Sequence, residues 1–143
     1  MEKFQKQLIL NNDINEIPAL AEFIDTMVEE IALDPSLGMS LNLALEEAVT
    51  NVILYAYPEG TSGTVTITVE GAGDTLTFII SDKGVPFDPT QKEDADITLS
   101  AEERPIGGLG IFLVKQLMDD VRYEYTDGQN ILTLKKTIVQ LDE

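Results

Sequence analysis

No cysteine and no histidine occur among the 143 residues of this chain. Their absence removes disulfides, Cys/His zinc sites, thiol nucleophiles and every Ser-His-Asp or Cys-His catalytic device, because the atoms are not there. Positive charge is scarce as well: nine Lys plus Arg stand against 26 Asp plus Glu, a formal net charge of -17. Binding to a phosphate backbone depends on clustered Lys and Arg, so this balance argues against nucleic acid and anionic membrane surfaces as partners. No run approaches the roughly 18 apolar residues of a membrane span. Met1 to Lys6 lacks the apolar region and small-residue cleavage site of a signal peptide. The default expectation is a cytoplasmic protein, with which the lack of cysteine agrees. Any catalysis is left to carboxylates, Lys, hydroxyls, backbone amides or a hard metal ion.

What is present is an ordinary globular composition, 43% hydrophobic and 24% charged, long enough for one domain spanning residues 1–143. Phe4 to Leu10 reads as a strand closed by the turn cluster Asn11-Asn12-Asp13. From Ile14 to Leu33 the apolar positions Ile17, Leu20, Phe23 or Ile24, Met27, Val28 and Ile31 recur at helical spacing until Asp34-Pro35. A second helix is expected after Gly38, with Ser40 as N-cap and Leu41, Leu45, Ala48 and Val52 as its buried stripe, ending before Pro58. The period then changes to two, and Val65, Ile67, Val69 and Leu76, Phe78, Ile80 form a hairpin around Gly71 to Asp74. Residues 84–104 have weak periodicity and are long for a loop, as functional lids or disordered segments are. A third helix runs from the glycines at 107, 108 and 110 to about Asp120, and Val121–Tyr125 and Ile131–Thr137 close the chain as a hairpin around Asp127-Gly128. This order predicts a two-layer α+β domain with helices on one face of a mixed sheet.

Three short segments can carry chemistry. In Leu45-Glu46-Glu47-Ala48-Val49-Thr50-Asn51, Glu47 and Asn51 lie four apart on one helix face. A carboxylate and an amide carbonyl so placed suit a hard cation such as Mg²⁺, which keeps waters and shares phosphate ligands. Glu46 points about 100° away around the helix. An isolated Glu-x-x-x-Asn is more often a solvated face. Ser81-Asp82-Lys83-Gly84-Val85-Pro86-Phe87-Asp88 follows a strand, where a carboxylate can accept from the amino group of a planar ring while glycine keeps the wall close. The same residues also make an ordinary turn. Arg104-Pro105-Ile106-Gly107-Gly108-Leu109-Gly110-Ile111 opens the third helix, where free amides and the helix dipole form an anion site. It is neither a Walker loop nor a Rossmann fingerprint, and glycines there also serve packing or capping.

Taken in order, Glu47-x-x-x-Asn51, Asp82-x-Gly84 and Gly108-x-Gly110 resemble the N, G1 and G2 boxes of the GHKL ATPase superfamily, which includes gyrase, Hsp90-type chaperones, histidine kinases and mismatch-repair ATPases. The wording Glu-Ala-Val-Thr-Asn at 47–51, Asp-Lys-Gly-Val-Pro-Phe-Asp-Pro at 82–89 and Gly-Gly-Leu-Gly-Ile at 107–111 is most similar to bacterial anti-sigma-factor serine/threonine kinases. The resemblance covers nearly the whole chain. It implies a Bergerat-type ATP site in which Asn51 holds Mg²⁺ and Glu47 is the general base or water-positioning residue. Asp82 would accept from the adenine amino group, with Gly84 and Phe87 shaping the pocket and Gly107, Gly108, Leu109 and Gly110 holding phosphates under a lid at about residues 89–106. Thr133, by its strand position, is a further candidate beside the adenine-binding Asp. The implied partners are a STAS-domain anti-anti-sigma protein, phosphorylated on Ser or Thr, and a sigma factor; a homodimer is among the assemblies the family uses. Two other readings stay open: a nucleotide-dependent partner-binding switch without transfer, and a detached histidine-kinase-like ATPase domain. The chain departs from many relatives in having Tyr55-Ala56-Tyr57 where they have His-Gly-Tyr, and Pro86 in place of a second G1 glycine. Arg104 is separated from Gly107 by Pro105-Ile106, whereas some relatives place an Arg directly before the G2 glycines.

Overall fold

Alternating apolar and polar residues build one five-stranded sheet, seen in a computed structural model that describes residues 1–91 and 110–138. The elements are β1 (Phe4–Asn11), a short 3-10 turn (Ile14–Glu16), α1 (Ile17–Glu30), α2 (Pro35–Tyr55), β2 (Thr64–Ala72) and β3 (Thr75–Asp82). A second 3-10 turn (Pro89–Gln91), α3 (Gly110–Leu117), β4 (Asp120–Thr126) and β5 (Gln129–Thr137) complete them. Val65, Ile67 and Val69 of β2, Leu76, Phe78 and Ile80 of β3, and Leu132 and Leu134 of β5 are buried. They meet Leu20, Ile24 and Met27 of α1, Leu41, Leu45, Ala48, Val49 and Val52 of α2, and Ile111 and Val114 of α3 in one core. Each large side chain so buried contributes about 1.5–3 kcal/mol. Of the two candidates at the middle of α1, Ile24 is buried and Phe23 only partly so. The opposite face of the sheet, with Thr66, Thr68 and Thr77, carries no helix-facing positions, so the expected two-layer α+β architecture holds.

The sheet is not mixed. Its strand order is β1-β2-β3-β5-β4, and every neighbouring pair is antiparallel. The reason lies in the last hairpin. β3 and β4 run in the same direction, as a crossover containing α3 requires, but β5 folds back through Asp127 and Gly128, both at positive φ, and takes the slot between them. No parallel pair is left to hydrogen-bond.

Asp34-Pro35 begins α2 rather than merely ending α1. The Asp34 carboxylate accepts from the Ser36 amide at 3.0 Å, and Pro35 occupies the first turn, where its missing N–H costs nothing. Ser40 therefore sits inside the helix, its hydroxyl donating to the Ser36 carbonyl at 3.3 Å. α1 stops before this, at Glu30, and beyond it Ala32 takes φ 54 while the Leu33 amide turns back to the Val28 carbonyl at 3.0 Å. Gly38 lies within α2 because a Cβ there would meet Val28 of α1 at 3.0 Å. Of the expected lid, Pro89–Gln91 form the 3-10 turn, and the rest lies outside the described residues, as do Arg104, Gly107, Gly108 and Leu109. α3 ends at Leu117, because Asp120 already pairs with Lys135 as the first residue of β4. Among the described residues no helix is long and apolar enough to cross a membrane.

Candidate functional site

The end of α2 and the turn after β3 meet at one corner, where the Val85 amide donates to the Ala56 carbonyl, and α2 carries Glu47 and Asn51 in the turns before it. On α2, Asn51 is fully buried, and its amide Nδ2 donates to the Glu47 carbonyl at 2.8 Å. One turn of helix thus fixes the Asn51 side chain against the residue that carries the carboxylate. Glu47 is partly exposed. Glu46, its neighbour, turns toward α1: partial burial first, then the Glu47 and Asp25 carboxylates, raise the pKa of the Glu46 carboxyl. Among the described residues no three acidic side chains cluster closely enough to hold a metal by themselves.

At the end of β3, Asp82 is 4% exposed. Its Oδ1 accepts from the Gly84 amide at 2.8 Å and from Asn130 Nδ2 at 2.9 Å. Its Oδ2 is buried with no hydrogen-bond partner. Burial raises the pKa of this carboxyl, and the bonds from Asn130 and Gly84 act in the opposite direction. A buried acceptor without a donor is costly to leave so. Such an atom is matched by a ligand that brings an N–H, which is what the exocyclic amine of a planar base offers.

Gly84 presses on the end of α2. A Cβ at this position would stand 2.2 Å from the Ala56 carbonyl oxygen, and the next amide, of Val85, donates to that same oxygen at 2.7 Å. Only glycine lets the turn after β3 approach the helix so closely. Phe87 then stacks at a tilt on Tyr55, with ring centroids 5.5 Å apart. Tyr57 locks the other side, donating to the Thr64 carbonyl at 2.7 Å and accepting from the Lys83 amide at 3.1 Å. The aromatic pair Tyr55 and Tyr57 thus brackets the corner.

Thr133 does not reach it. In the β3–β5 register Thr133 lies opposite Ile79, while Asp82 lies opposite Asn130. Because side chains alternate along a strand, Thr133 falls on the outer face of the sheet and Asp82 on the helix-covered face. The residue of β5 beside Asp82 is Asn130, 4% exposed, which the sequence reading passes over. Its Nδ2 donates to Asp82 Oδ1 and, at 2.8 Å, to the Val85 carbonyl; its Oδ1 accepts from the Phe87 amide at 2.9 Å and from the Tyr123 hydroxyl. The one sequence hint was an Asn at the inward parity of an otherwise apolar strand, since Asn130 shares its face with Leu132 and Leu134. Gly110 opens α3, and that helix packs against α2.

The family described as a histidine kinase-like ATPase domain matches the chain over residues 10–136. The serine-protein kinase RsbW of Listeria monocytogenes is similar to it at 36% identity over 99 residues, 66% of this chain and 63% of its own length. The chain therefore spans less than two thirds of the length of that relative. The serine-protein kinase RsbW of Bacillus mycoides is 32% identical over 146 residues, covering 94% of this chain and 87% of its own. Among solved structures, the RsbU and RsbW domains of a Mycobacterium tuberculosis protein match with a TM-score of 0.68 at 17% identity, over 98% of this chain and 35% of that one. The histidine kinase domain of a blue-light activated histidine kinase from Erythrobacter litoralis matches with a TM-score of 0.56 at 16% identity, over 87% of this chain and 60% of that one. At such identities these two likenesses speak to the fold alone.

Proposed function

Since the chain belongs to the histidine kinase-like ATPase family, in its branch of RsbW-type anti-sigma-factor kinases, we propose that it is an ATP-dependent serine/threonine-protein kinase that also binds a sigma factor. The observation that carries the nucleotide part is the orphaned, buried Oδ2 of Asp82. With Oδ1 already taken by Gly84 and Asn130, this oxygen is the acceptor for the adenine amino group. Phe87 and Gly84 wall the ring; by the motif, Gly107, Gly108 and Leu109, which lie outside the described residues, and Gly110 would supply amides to the phosphates.

Asn51, whose Nδ2 donates to the Glu47 carbonyl, carries an amide oxygen of the kind that Mg²⁺ takes as a ligand. Mg²⁺ held there would neutralise charge on the phosphate oxygens. Phosphoryl transfer then asks of the protein mainly positioning and electrostatic support. Glu47 orients the Ser or Thr hydroxyl of the acceptor protein and takes its proton as the hydroxyl oxygen bonds to the γ-phosphorus. The β,γ-bridging bond breaks and ADP leaves. The acceptor is a STAS-domain anti-anti-sigma protein, whose phosphorylation frees the kinase to hold the sigma factor in the cytoplasm.

Incubation with Mg²⁺, γ-labelled ATP and a STAS-domain protein encoded nearby is expected to place label on Ser or Thr, and chelation is expected to stop it. Glu47→Ala should keep ATP binding and lose transfer. Label transfer by that variant at the wild-type rate would remove Glu47 from the mechanism, and ATP binding without any labelled acceptor would favour a partner switch.

A further inference from the structure

Asn130 is hydrogen-bonded to capacity. An Asn side chain has two amide hydrogens and two carbonyl lone pairs, and here both hydrogens are donated, to Asp82 Oδ1 and the Val85 carbonyl, while both lone pairs accept, from the Phe87 amide and the Tyr123 hydroxyl. The orientation of an amide is an assignment that its neighbours must justify. Here they do: the flipped amide would set its oxygen against a carboxylate and a carbonyl, and its NH₂ against the Phe87 N–H. Tyr123 donates as a neutral phenol, whose pKa burial raises further against the pull of a hydrogen bond from the Phe87 backbone.

We infer that Asn130 is the positioning residue of the adenine subsite, acting through Asp82 rather than on the nucleotide. This rests on the reading that Asp82 receives the adenine amine. A saturated side chain has no donor or acceptor left for a ligand. What it does instead is hold one carboxylate oxygen of Asp82, so that the other stays fixed, buried and unpartnered. The same side chain ties Val85 and Phe87, at the two sides of Pro86, to strand β5, which sets the wall of the pocket relative to the carboxylate. Base selectivity follows: a fixed acceptor rewards the amine of adenine and opposes the carbonyl that guanine presents at the equivalent position. An Asp82 free to rotate would discriminate less.

The test compares ATP and GTP binding, and its pH dependence, in the wild type and in Asp82→Ala, Asn130→Asp and Tyr123→Phe. Asn130→Asp exchanges two donated bonds for a second carboxylate facing Asp82. It is expected to lower the ATP-over-GTP ratio by about tenfold, the order of one hydrogen bond to a charged group, and to move the acid loss of ATP binding to higher pH. Tyr123→Phe removes one bond to Asn130 from the edge strand β4 and leaves the packing intact, so it remains informative if the Asp variant does not fold. Its ratio is expected to fall about threefold, as for a neutral hydrogen bond. A loss of stability alone would lower the bound fraction for both nucleotides and leave the ratio and the pH midpoint where they were. If Asp82→Ala loses ATP while Asn130→Asp or Tyr123→Phe keeps the wild-type ratio and midpoint, Asn130 has no positioning role. If the wild type binds no ATP, or Asp82→Ala binds it as well as the wild type, the adenine subsite itself is wrong and the inference falls with it.

Discussion

At Asp82, burial raises the carboxyl pKa against the pull of two hydrogen bonds, so two properties should respond to pH in opposite directions. A raised pKa means that the folded protein holds this proton more tightly than the unfolded chain does. The resulting stabilisation is complete below the unfolded pKa and is lost as pH rises through the folded one. The ionised form is the stronger acceptor for an adenine amine, and it disappears as pH falls through that same folded value. On titration from neutral toward acid, ATP affinity should therefore decline at a higher pH than an ordinary aspartate would give. Over the same interval the stability of the wild type should improve relative to Asp82→Asn, a difference that cancels the titration of the other 25 acids. Calorimetric titrations and thermal melts read both; an ATP affinity that drops only where an unperturbed aspartate titrates would contradict the assignment.

Among the elements, the contact between the end of α2 and the turn after β3 is the joint that assembles the corner. α2 starts at the Asp34 cap and runs 21 residues to Tyr55, long enough to carry Glu47 and Asn51 and still deliver the Ala56 carbonyl to Val85. Gly84→Ala would drive a Cβ into that carbonyl at 2.2 Å, and backbone cannot yield as a flexible side chain does. The variant is expected to lose about 1–3 kcal/mol of stability, as overpacking commonly costs, and to weaken ATP binding by displacing the turn that holds Asp82. Denaturant unfolding with a nucleotide titration checks both. A Gly84→Ala protein with wild-type stability and affinity would mean that the turn and helix are not tightly coupled.

Across the whole molecule, charge is distributed unevenly. No Lys or Arg occurs between Lys6 and Lys83. α1 and α2 carry Glu22, Asp25, Glu29, Glu30, Glu46 and Glu47 without a cation of their own; the Lys6 of β1 reaches Glu30 as an ion pair. Self-repulsion of this kind disfavours the compact state and is weakened by salt, since the screening length falls from about 10 Å at 0.1 M to about 3 Å at 1 M. Raising NaCl from about 0.05 to about 0.5 M is thus expected to raise the melting temperature. A melting temperature that is flat or falling with salt would show that the acids are compensated locally. On the function proposed above, phosphate binding by so acidic a chain would lean on backbone amides and a bound metal, which chelation tests.

Residue order alone determined the two-layer architecture, because a period of two followed or preceded by a period of three to four leaves only one way to bury both faces. It also determined the N, G1 and G2 motifs, since their chemistry is carried by residue identity at short spacing, and four residues of helix or two of turn are local geometry. What was decided elsewhere depends on long-range pairing. Whether the sheet is mixed turns on where β5 inserts, 48 residues from its partner at the Asn130–Asp82 bond, and no local period encodes that. The same register puts Thr133 on the outer face and Asn130 against Asp82, so the choice between them was invisible until the strands were paired. The helix boundary at Asp34-Pro35 stands between: the same two residues can end one helix or cap the next, and only the fold around Ala32 shows that they do the second.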